Sequence, residues 1–463
     1  MRPRQRRETF IAVVAAIILS TLGLVKIASN FELESLEKYA KKKMVEQSAE
    51  TYRIYKDNFP TLEKKVRRNG IYQRKQMLEG VMLDRSGVVS NVTSEIISEL
   101  VFSFSPTAEK HFAKKLVDPN HEQRVYGNSP AMIWDGEKFI VVMRMWLDKE
   151  HTEGRTKNIF SDNYLYARSY NDKMEALDIS GRVLGIPTRV IQSVGDGPIE
   201  PRAFPFYEQI YLSFNAALYV GKKEVDTTMF WDWRGDRFVM PKVTDGQPQF
   251  KTRMSMPRDK HWSPYEFDNK LYMVYSFDPL RIISCDKGAV CHFTQNAADS
   301  DYRFNDLQDS VRGGTPTLWY RENFYITITH STHFRPGYKR YYTFNLLVLK
   351  VDKKSPHKVI YFSEPINLHE ELMTKTPIIR TKWIVDPFFF PVSLLKEDED
   401  NIIIGGHIND HSAYLFRVKG IKKLMEEVIH KSELLDDEGP ANKVLHRLSQ
   451  QFATAQSGYV FRT

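Results

Sequence analysis

GDGPIEPRAFPFYEQIYLSFN, residues 195–215, decides how the rest of the chain is read. It sets a carboxylate, Glu200, beside a guanidinium, Arg202, with Pro201 between them. A polar turn follows at Tyr207-Glu208-Gln209, and then an alternating apolar run over residues 210–215 with the period of a strand. The same arrangement recurs four times: PAMIWDGEKFIVVMRM from Pro130, SPYEFDNKLYMVYSF from Ser263, GTPTLWYRENFYITITHS from Gly314 and PFFFPVSLLKEDEDNIIIGGHIND from Pro387. Each copy holds a proline, a short apolar strand, a turn of Asp, Glu, Asn, Lys or Gly, and a second apolar strand, which is the signature of a hairpin. Copies spaced roughly 50 to 75 residues apart predict the blades of a propeller.

Between the hairpins lie further strand candidates at 163–167, 188–192, 227–231, 282–285, 344–351 and 413–418. Strand upon strand with turn chemistry between them, and no sustained helical period, predicts an all-β body. A sandwich would use the same strands; the five spaced copies favour five blades around a central channel. The tail, 422–447, carries an apolar helical period (Leu424, Val428, Ile429, then Leu445 beyond Pro440) and reads as a C-terminal helix or extension.

Hydrophobic residues at 42% and charged residues at 27% fit a folded protein rather than a disordered one. The net charge of +8 is modest for 463 residues, and much of it lies in the first 75, so no nucleic-acid partner is expected. Residues 10–27 form an almost uncharged apolar run behind four arginines, near the length that spans a bilayer. Positive charge on that flank keeps the N-terminus cytosolic, giving a type II signal anchor; a cleaved signal peptide is the competing reading. Residues 30–72 are rich in Glu, Lys and helix formers and read as a membrane-proximal stem. Residues 77–112 would lead into the propeller and pack on it. The expected division is a cytoplasmic tail at 1–9, a transmembrane anchor at 10–28, a stem and leading region at 29–125, the propeller at 126–420 and a helical extension at 421–463.

A lumenal body agrees with the remaining signals. Asn91-Val92-Thr93 is an N-glycosylation sequon. Cys285 and Cys291 are spaced for a disulfide closing a small loop in an oxidising compartment, with two free thiols as the alternative, and they lack the paired spacing of a zinc site. Asp299-Ser300-Asp301 and Asp398-Glu399-Asp400 have the spelling of an Asp-x-Asp metal site but read as loop and turn residues, so no metal or cofactor is expected.

In a propeller the ends of the innermost strands converge on the axis, so polar residues beside each repeat's proline are candidates for one shared pocket. They are Asn128, Glu200 with Arg202, Lys260 with His261, Arg312 and Asp386. Second strands end in Arg144, Asn215, His330 and Asp410-His411, with Trp262, Trp319 and Tyr265 expected near the walls. Cations of this kind suit a phosphate or diphosphate, and carboxylates suit sugar hydroxyls and acid–base work.

Glu200-Pro201-Arg202, Lys260-His261-Trp262, Arg312-Gly313-Gly314-Thr315-Pro316 and the segment 405–410 fall in the same order as motifs of the inverting β-mannoside phosphorylases and hydrolases of glycoside hydrolase family 130. The chain also resembles the related β-mannosyltransferases of protozoa and fungi. The resemblance spans residues 126–418 and implies a five-bladed propeller. It implies a catalytic acid at Glu200, where the family motif has Asp-Pro-Arg, one methylene shorter. That departure either preserves the role with shifted geometry or marks a lost activity. It further implies an arginine at Arg202, a phosphate-holding lysine at Lys260, a sugar-site aspartate at Asp410 and a histidine at His330.

A phosphorylase's carboxylic acid, run backwards as carboxylate, takes a proton from an acceptor hydroxyl while phosphate leaves the sugar's other face. With a type II anchor and stem, the layout of a Golgi transferase, this predicts an inverting mannosyltransferase. Its donor would be a nucleotide sugar or sugar phosphate and its acceptor a glycan. Glu200 would be the base, Arg202, Lys260 and Arg312 the donor-phosphate ligands, and His261, His330 and Asp410 would orient sugars. A β-mannoside phosphorylase or hydrolase and a non-catalytic glycan-binding propeller are the alternatives.

Overall fold

The computed structural model describes residues 124–148, 162–171, 181–186, 197–220, 223–245, 257–259, 261–277, 280–296, 311–335, 339–363 and 387–434, together with strands Gly80–Leu83, Val89–Glu99 and Phe250–Lys251 and the short pieces 175–177, 366 and 376. The anchor, the stem and the strand candidate 188–192 lie outside them. No helix among the described residues is long and apolar enough to cross a membrane.

Five antiparallel-cored sheets follow one another along the chain. Blade one runs outward through Arg124–Trp134, Phe139–Asp148, Asp162–Tyr170 and Arg182–Val183. Blade two begins with Ile199–Phe206, Gln209–Val220 and Lys223–Asp232, and Pro257–Asp259 adds to its outer side in parallel. Blade three holds Ser263–Phe267, Lys270–Phe277, Leu280–Cys285 and Val290–Gln295. Blade four opens on a split inner strand, Val311–Gly313 and Leu318–Arg321, followed by Phe324–Arg335, Lys339–Lys350 and Lys358–Phe362. Blade five comprises Phe389–Lys396, Asn401–Ile408 and Ser412–Lys419.

All five predicted hairpins are present, and their turns explain them. Tyr207 and Glu208 (φ 43° and 67°), like Asp268 and Asn269 (φ 52° and 57°), put both loop residues in the left-handed region. That is the two-residue turn whose twist matches the flanking strands. In blade five, Asp398 accepts from the backbone N–H of Asp400 and Asn401 and from Asn401 Nδ2, so its carboxylate holds a turn.

Ring closure is written in the apolar core. Five large buried clusters fill the five interfaces between consecutive sheets. Ala131, Leu165, Phe214 and Trp231 join blades one and two. Phe204, Trp262, Met273 and Tyr275 join two and three. Tyr265, Val274, Val311 and Leu347 join three and four, and Ile326, Leu346, Phe389 and Ile404 join four and five. Met143, Tyr166, Ile403 and Leu415 return from blade five to blade one. Five sheets sharing five interfaces can only be a closed ring, which separates the propeller from a sandwich.

The closing strand corrects the expected domain boundary. Val89–Glu99, placed by the sequence reading in the stem and leading region, pairs with Ser412–Lys419 and completes blade five from the far end of the chain. Strand pairing across so long a separation leaves no local periodic signal. Asn91 of the sequon falls on this strand, opposite Val81.

The helix Ile421–Leu434 follows Gly420 (φ 93°), which reverses the chain. Ile421, Leu424, Met425, Val428 and Ile429 form its apolar stripe and are buried against blades four and five. Leu445 lies outside the described residues. Cys285 and Cys291 sit opposite each other on neighbouring strands of blade three and are joined by a disulfide inside the core shared with blade two.

Candidate active site

The inner strands of the first three blades carry an unusual backbone residue, within the strand in blade one, at its second residue in blade two and just before it in blade three. Ser129, Glu200 and His261 have φ of 53°, 53° and 69°, though none is glycine. The first two precede proline, where extended backbone is the rule. Left-handed backbone at such residues costs about 1–3 kcal/mol each and marks functional sites. In blades one and two the strand pairing slips here, between Asn128 and Ala131 and between Ile199 and Arg202. A bulge of this kind re-aims a side chain.

Glu200 is thereby turned toward His261, whose Nδ1 stands 2.8 Å from the carboxylate Oε2. The imidazole is buried, while 14% of the Glu200 side chain is exposed, with its Oε2 sealed from solvent. Arg202 lies beneath the pair. Its Nε donates to the Gly314 carbonyl at 2.6 Å, Nη2 to that of Gly313 at 3.0 Å, and Nη1 to that of Glu200 at 3.0 Å. Burial lowers its pKa to about 10, against the opposing effect of Glu200, so it remains a cation at neutral pH. Gly313 must be glycine here, because a Cβ would come within 2.4 Å of the His261 carbonyl oxygen.

His330 pairs with Arg312 across blade four and places its ring edge-on to His261, centroids 4.8 Å apart. Burial foremost, then the neighbouring His261 and Arg312, push its pKa well below the ordinary 6.5, so it is neutral. Its Nδ1 has no hydrogen-bond partner, nor has Nδ2 of buried Asn215, whose Oδ1 faces the His261 backbone N–H at 3.5 Å.

Across the axis lies a second group. Asp410 Oδ1 lies 3.8 Å from Arg144 Nη1 and 3.7 Å from His407 Nε2, and the Asp410 backbone N–H donates to His407 Nδ1 at 3.2 Å. Arg144 Nε donates to Asn163 at 2.6 Å, and Asn128 Nδ2 donates to the Asp410 carbonyl at 2.6 Å. Phe390 joins the groups, 4.4 Å from the His330 ring and stacked 5.4 Å from that of His407.

Of the residues singled out from sequence, Glu200, Arg202, His261, His330, Asn215 and Arg312 are gathered on one side, and Asn128, Arg144 and Asp410 on the other. Lys260 and Asp386 lie outside the described residues, as does Asp299-Ser300-Asp301. Four of the residues lie elsewhere than expected. Trp262 is 1% exposed and packs in the core between blades two and three, so it is not a pocket wall. Tyr265 is likewise interior, its hydroxyl on His357 Nδ1 at 2.7 Å, and the Trp319 indole N–H donates to Glu322 in an exposed turn. Arg202 is 1% exposed with its N–H groups on carbonyls, which makes it a brace for the Glu200 turn rather than a phosphate ligand.

His407, Phe390 and Asn163 were not identified from sequence. His407 stands three residues before Asp410 inside a quoted motif; Asn163 and Phe390 carry no signal apart from the fold.

The neutrality of His330 has a testable consequence. Its folded-state pKa lies below its unfolded value, so the unfolded chain binds the extra proton as pH falls below about 6.5. The stability it confers is present above that pH and is lost on acidification, with a slope approaching 1.4 kcal/mol per pH unit. Denaturant midpoints at pH 7.5 and 5.5 should diverge for the native chain and converge for His330→Gln. Equal divergence in both would refute the assignment.

No family model matches the chain. Beta-mannosyltransferase 6 of Candida albicans is 25% identical to it over 193 residues, which cover 38% of this chain and 29% of that protein. The resemblance read from the motifs stands. The chain thus spans under a third of the curated relative it matches. Among solved structures, a β-1,2-mannobiose phosphorylase from Listeria innocua is similar at 11% identity and TM-score 0.41, covering 69% of this chain and 96% of that one. A GDP-Man-dependent mannosyltransferase from Leishmania mexicana is similar at 9% identity and TM-score 0.37, covering 68% and 95%.

Proposed function

We propose that this chain is a mannose-active enzyme that transfers mannose, with inversion, from a phosphate-activated donor to a glycan hydroxyl. The observation that carries the reading is Glu200: a partly exposed carboxylate on a strained backbone at the inner end of a blade, cornered by His261 and braced by Arg202. Strain of that kind is retained where a side chain must be aimed. The acceptor oxygen attacks the anomeric carbon from the face opposite the phosphate. Its proton passes to the Glu200 carboxylate, and the bonding pair of the departing C–O bond leaves with the phosphate. Arg312 and Lys260 are the cations for the leaving group, since Arg202 is committed to carbonyls. Asp410, Arg144 and His407 form the sugar-binding side.

Transfer is preferred to phosphorolysis because the curated relative is named a mannosyltransferase. The arginine-flanked apolar run at 10–27 supports a single-pass type II protein of the secretory pathway, with the Golgi as its compartment and a nucleotide sugar as donor. The test is to incubate the full chain with GDP-mannose and β-mannoside acceptors. A lengthened glycan together with released GDP is expected. Mannose 1-phosphate formed from β-mannosides and inorganic phosphate, without transfer, would make it a phosphorylase. Glycan binding with neither product would make it a binding module.

A further inference from the structure

In blades one, two and four a strand pair runs on past the axial residues as an arm, at the end of the ring that holds the candidate site. In blade one the pairing continues from Asn128↔Arg144 to Arg124↔Asp148, and in blade two from Asn215↔Thr228 to Val220↔Lys223. In blade four it continues from His330↔Phe344 to Arg335↔Lys339, about 16 Å of strand. Tyr342 fixes the root of this third arm, its ring 4.9 Å from that of Phe388 and 6.5 Å from that of His330.

The arms differ in charge. The arm of blade one ends on an opposite-charge rung, Arg124 across from Asp148, and that of blade two sets Lys223 beside Glu224 and Asp226. The arm of blade four ends on Arg335 directly across from Lys339, with Arg340 the next residue, and residues 331–343 include no acidic residue. Like charges directly opposed across a strand pair are destabilising. The two strands, of 12 residues each, hold their register without that rung. A costly rung with no part in the pairing points to an anion that neutralises it.

One face of the arm leads back to the site. Strand residues two apart share a face, and so do residues directly opposed. On that face the successive rungs are Phe334↔Arg340, Thr332↔Tyr342 and His330↔Phe344, and Arg312 pairs with His330 from the inner strand. A row of positions thus climbs from Arg312, a leaving-group cation of the proposed reaction, to Arg340, with Tyr342 on the rung between.

We infer that the arm of blade four holds the nucleoside diphosphate of the donor. The phosphate next to the sugar lies at Arg312, and the second phosphate and the nucleoside follow the arm outward. Cations there suit the diphosphate, and aromatic residues suit a base, since every base offers a π face for stacking. A simple sugar phosphate would end at Arg312 and leave the charge of the arm unused. The inference rests on the proposed transfer from a phosphate-activated donor and makes that donor a nucleotide sugar.

The test measures binding to the full chain by calorimetry, with GDP, mannose 1-phosphate and inorganic phosphate as probes. Arg340→Gln and the double variant Arg335→Gln/Lys339→Gln should each weaken GDP binding by about tenfold or more, the loss expected when a charged donor to phosphate is removed. Mannose 1-phosphate and inorganic phosphate should bind within about threefold of the native chain, because they do not reach the arm. The thermal midpoint of the double variant should hold or rise, since a like-charge rung is relieved.

GDP affinity kept within about threefold in both variants would overturn the inference, and so would an equal loss for all three probes. A raised acceptor KM with GDP binding unchanged would make the arm an acceptor surface and overturn it as well. If the native chain binds no GDP, the inference falls whether or not mannose is transferred. If it binds GDP through the arm and forms no transfer product, the inference stands and the proposed function falls.

Discussion

Glu200→Gln should lower turnover by about 10²- to 10⁴-fold, the usual contribution of a positioned base, or roughly 3–6 kcal/mol of barrier. The amide has the same shape and fills the same bulge but cannot take the acceptor's proton. Stability should not change, because the strand on either side is held by backbone pairing, Ile199 to Asn215 and Arg202 to Ser213. Product formation and the thermal midpoint are measured on the same preparation. Turnover within a factor of about three of the native chain, with the fold intact, would remove Glu200 from the reaction. The shorter Glu200→Asp, which restores the family's residue, draws the carboxylate back from His261 Nδ1. It should retain more activity than the amide, since the acid–base group survives.

Arg202→Met should destabilise the chain by about 3–5 kcal/mol, the range for breaking a buried charged network by removing one partner. Three carbonyls, those of Glu200, Gly313 and Gly314, lose their donor in a site too closed for water to replace it. Two of the three belong to Gly313 and Gly314 at the start of blade four, so the loss also removes a tie between blades two and four at their axial ends. Lysine at this position should recover only part, because an ammonium cannot reproduce the planar fork. Denaturant unfolding gives the difference directly. A loss under about 1 kcal/mol would mean that Arg202 is not the brace its geometry describes. A loss of donor affinity at unchanged stability would return it to the role of phosphate ligand.

These two residues, separated by one proline, show how far sequence reading reaches. Both were singled out for the same reason: charged groups beside a repeat's proline, at the axial end of an inner strand. The structure keeps that position for both and divides their work. Glu200 retains access to solvent, and Arg202 is sealed under it. The division depends on carbonyl groups more than a hundred residues further along the chain, about which the local spelling EPR says nothing. Trp262 carries the same lesson. Its neighbour His261 takes the inward position, and the backbone that aims the imidazole at Glu200 sends the indole into the core between blades.

His407 and Phe390 were passed over because their residue types mean little alone. A buried histidine in an apolar strand is ordinary, and a phenylalanine in FFFP is read as core. Only their stacking, and the pairing of His407 with Asp410, gives them a place between the two polar groups.

The sequence by itself determined the hairpins, their number and their order, because a strand's period and a turn's residue chemistry are local properties expressed within about ten residues. It also placed the polar residues at the axial end of each blade, since a repeat puts equivalent positions in equivalent places. Only the tertiary structure decided that Val89–Glu99 closes the ring, that Arg202 donates to a carbonyl of blade four, and that His261 Nδ1 stands beside the Glu200 carboxylate. Those outcomes depend on which partners a donor or a strand edge meets once distant segments come together, and a polar group's role is fixed by the partner that satisfies it.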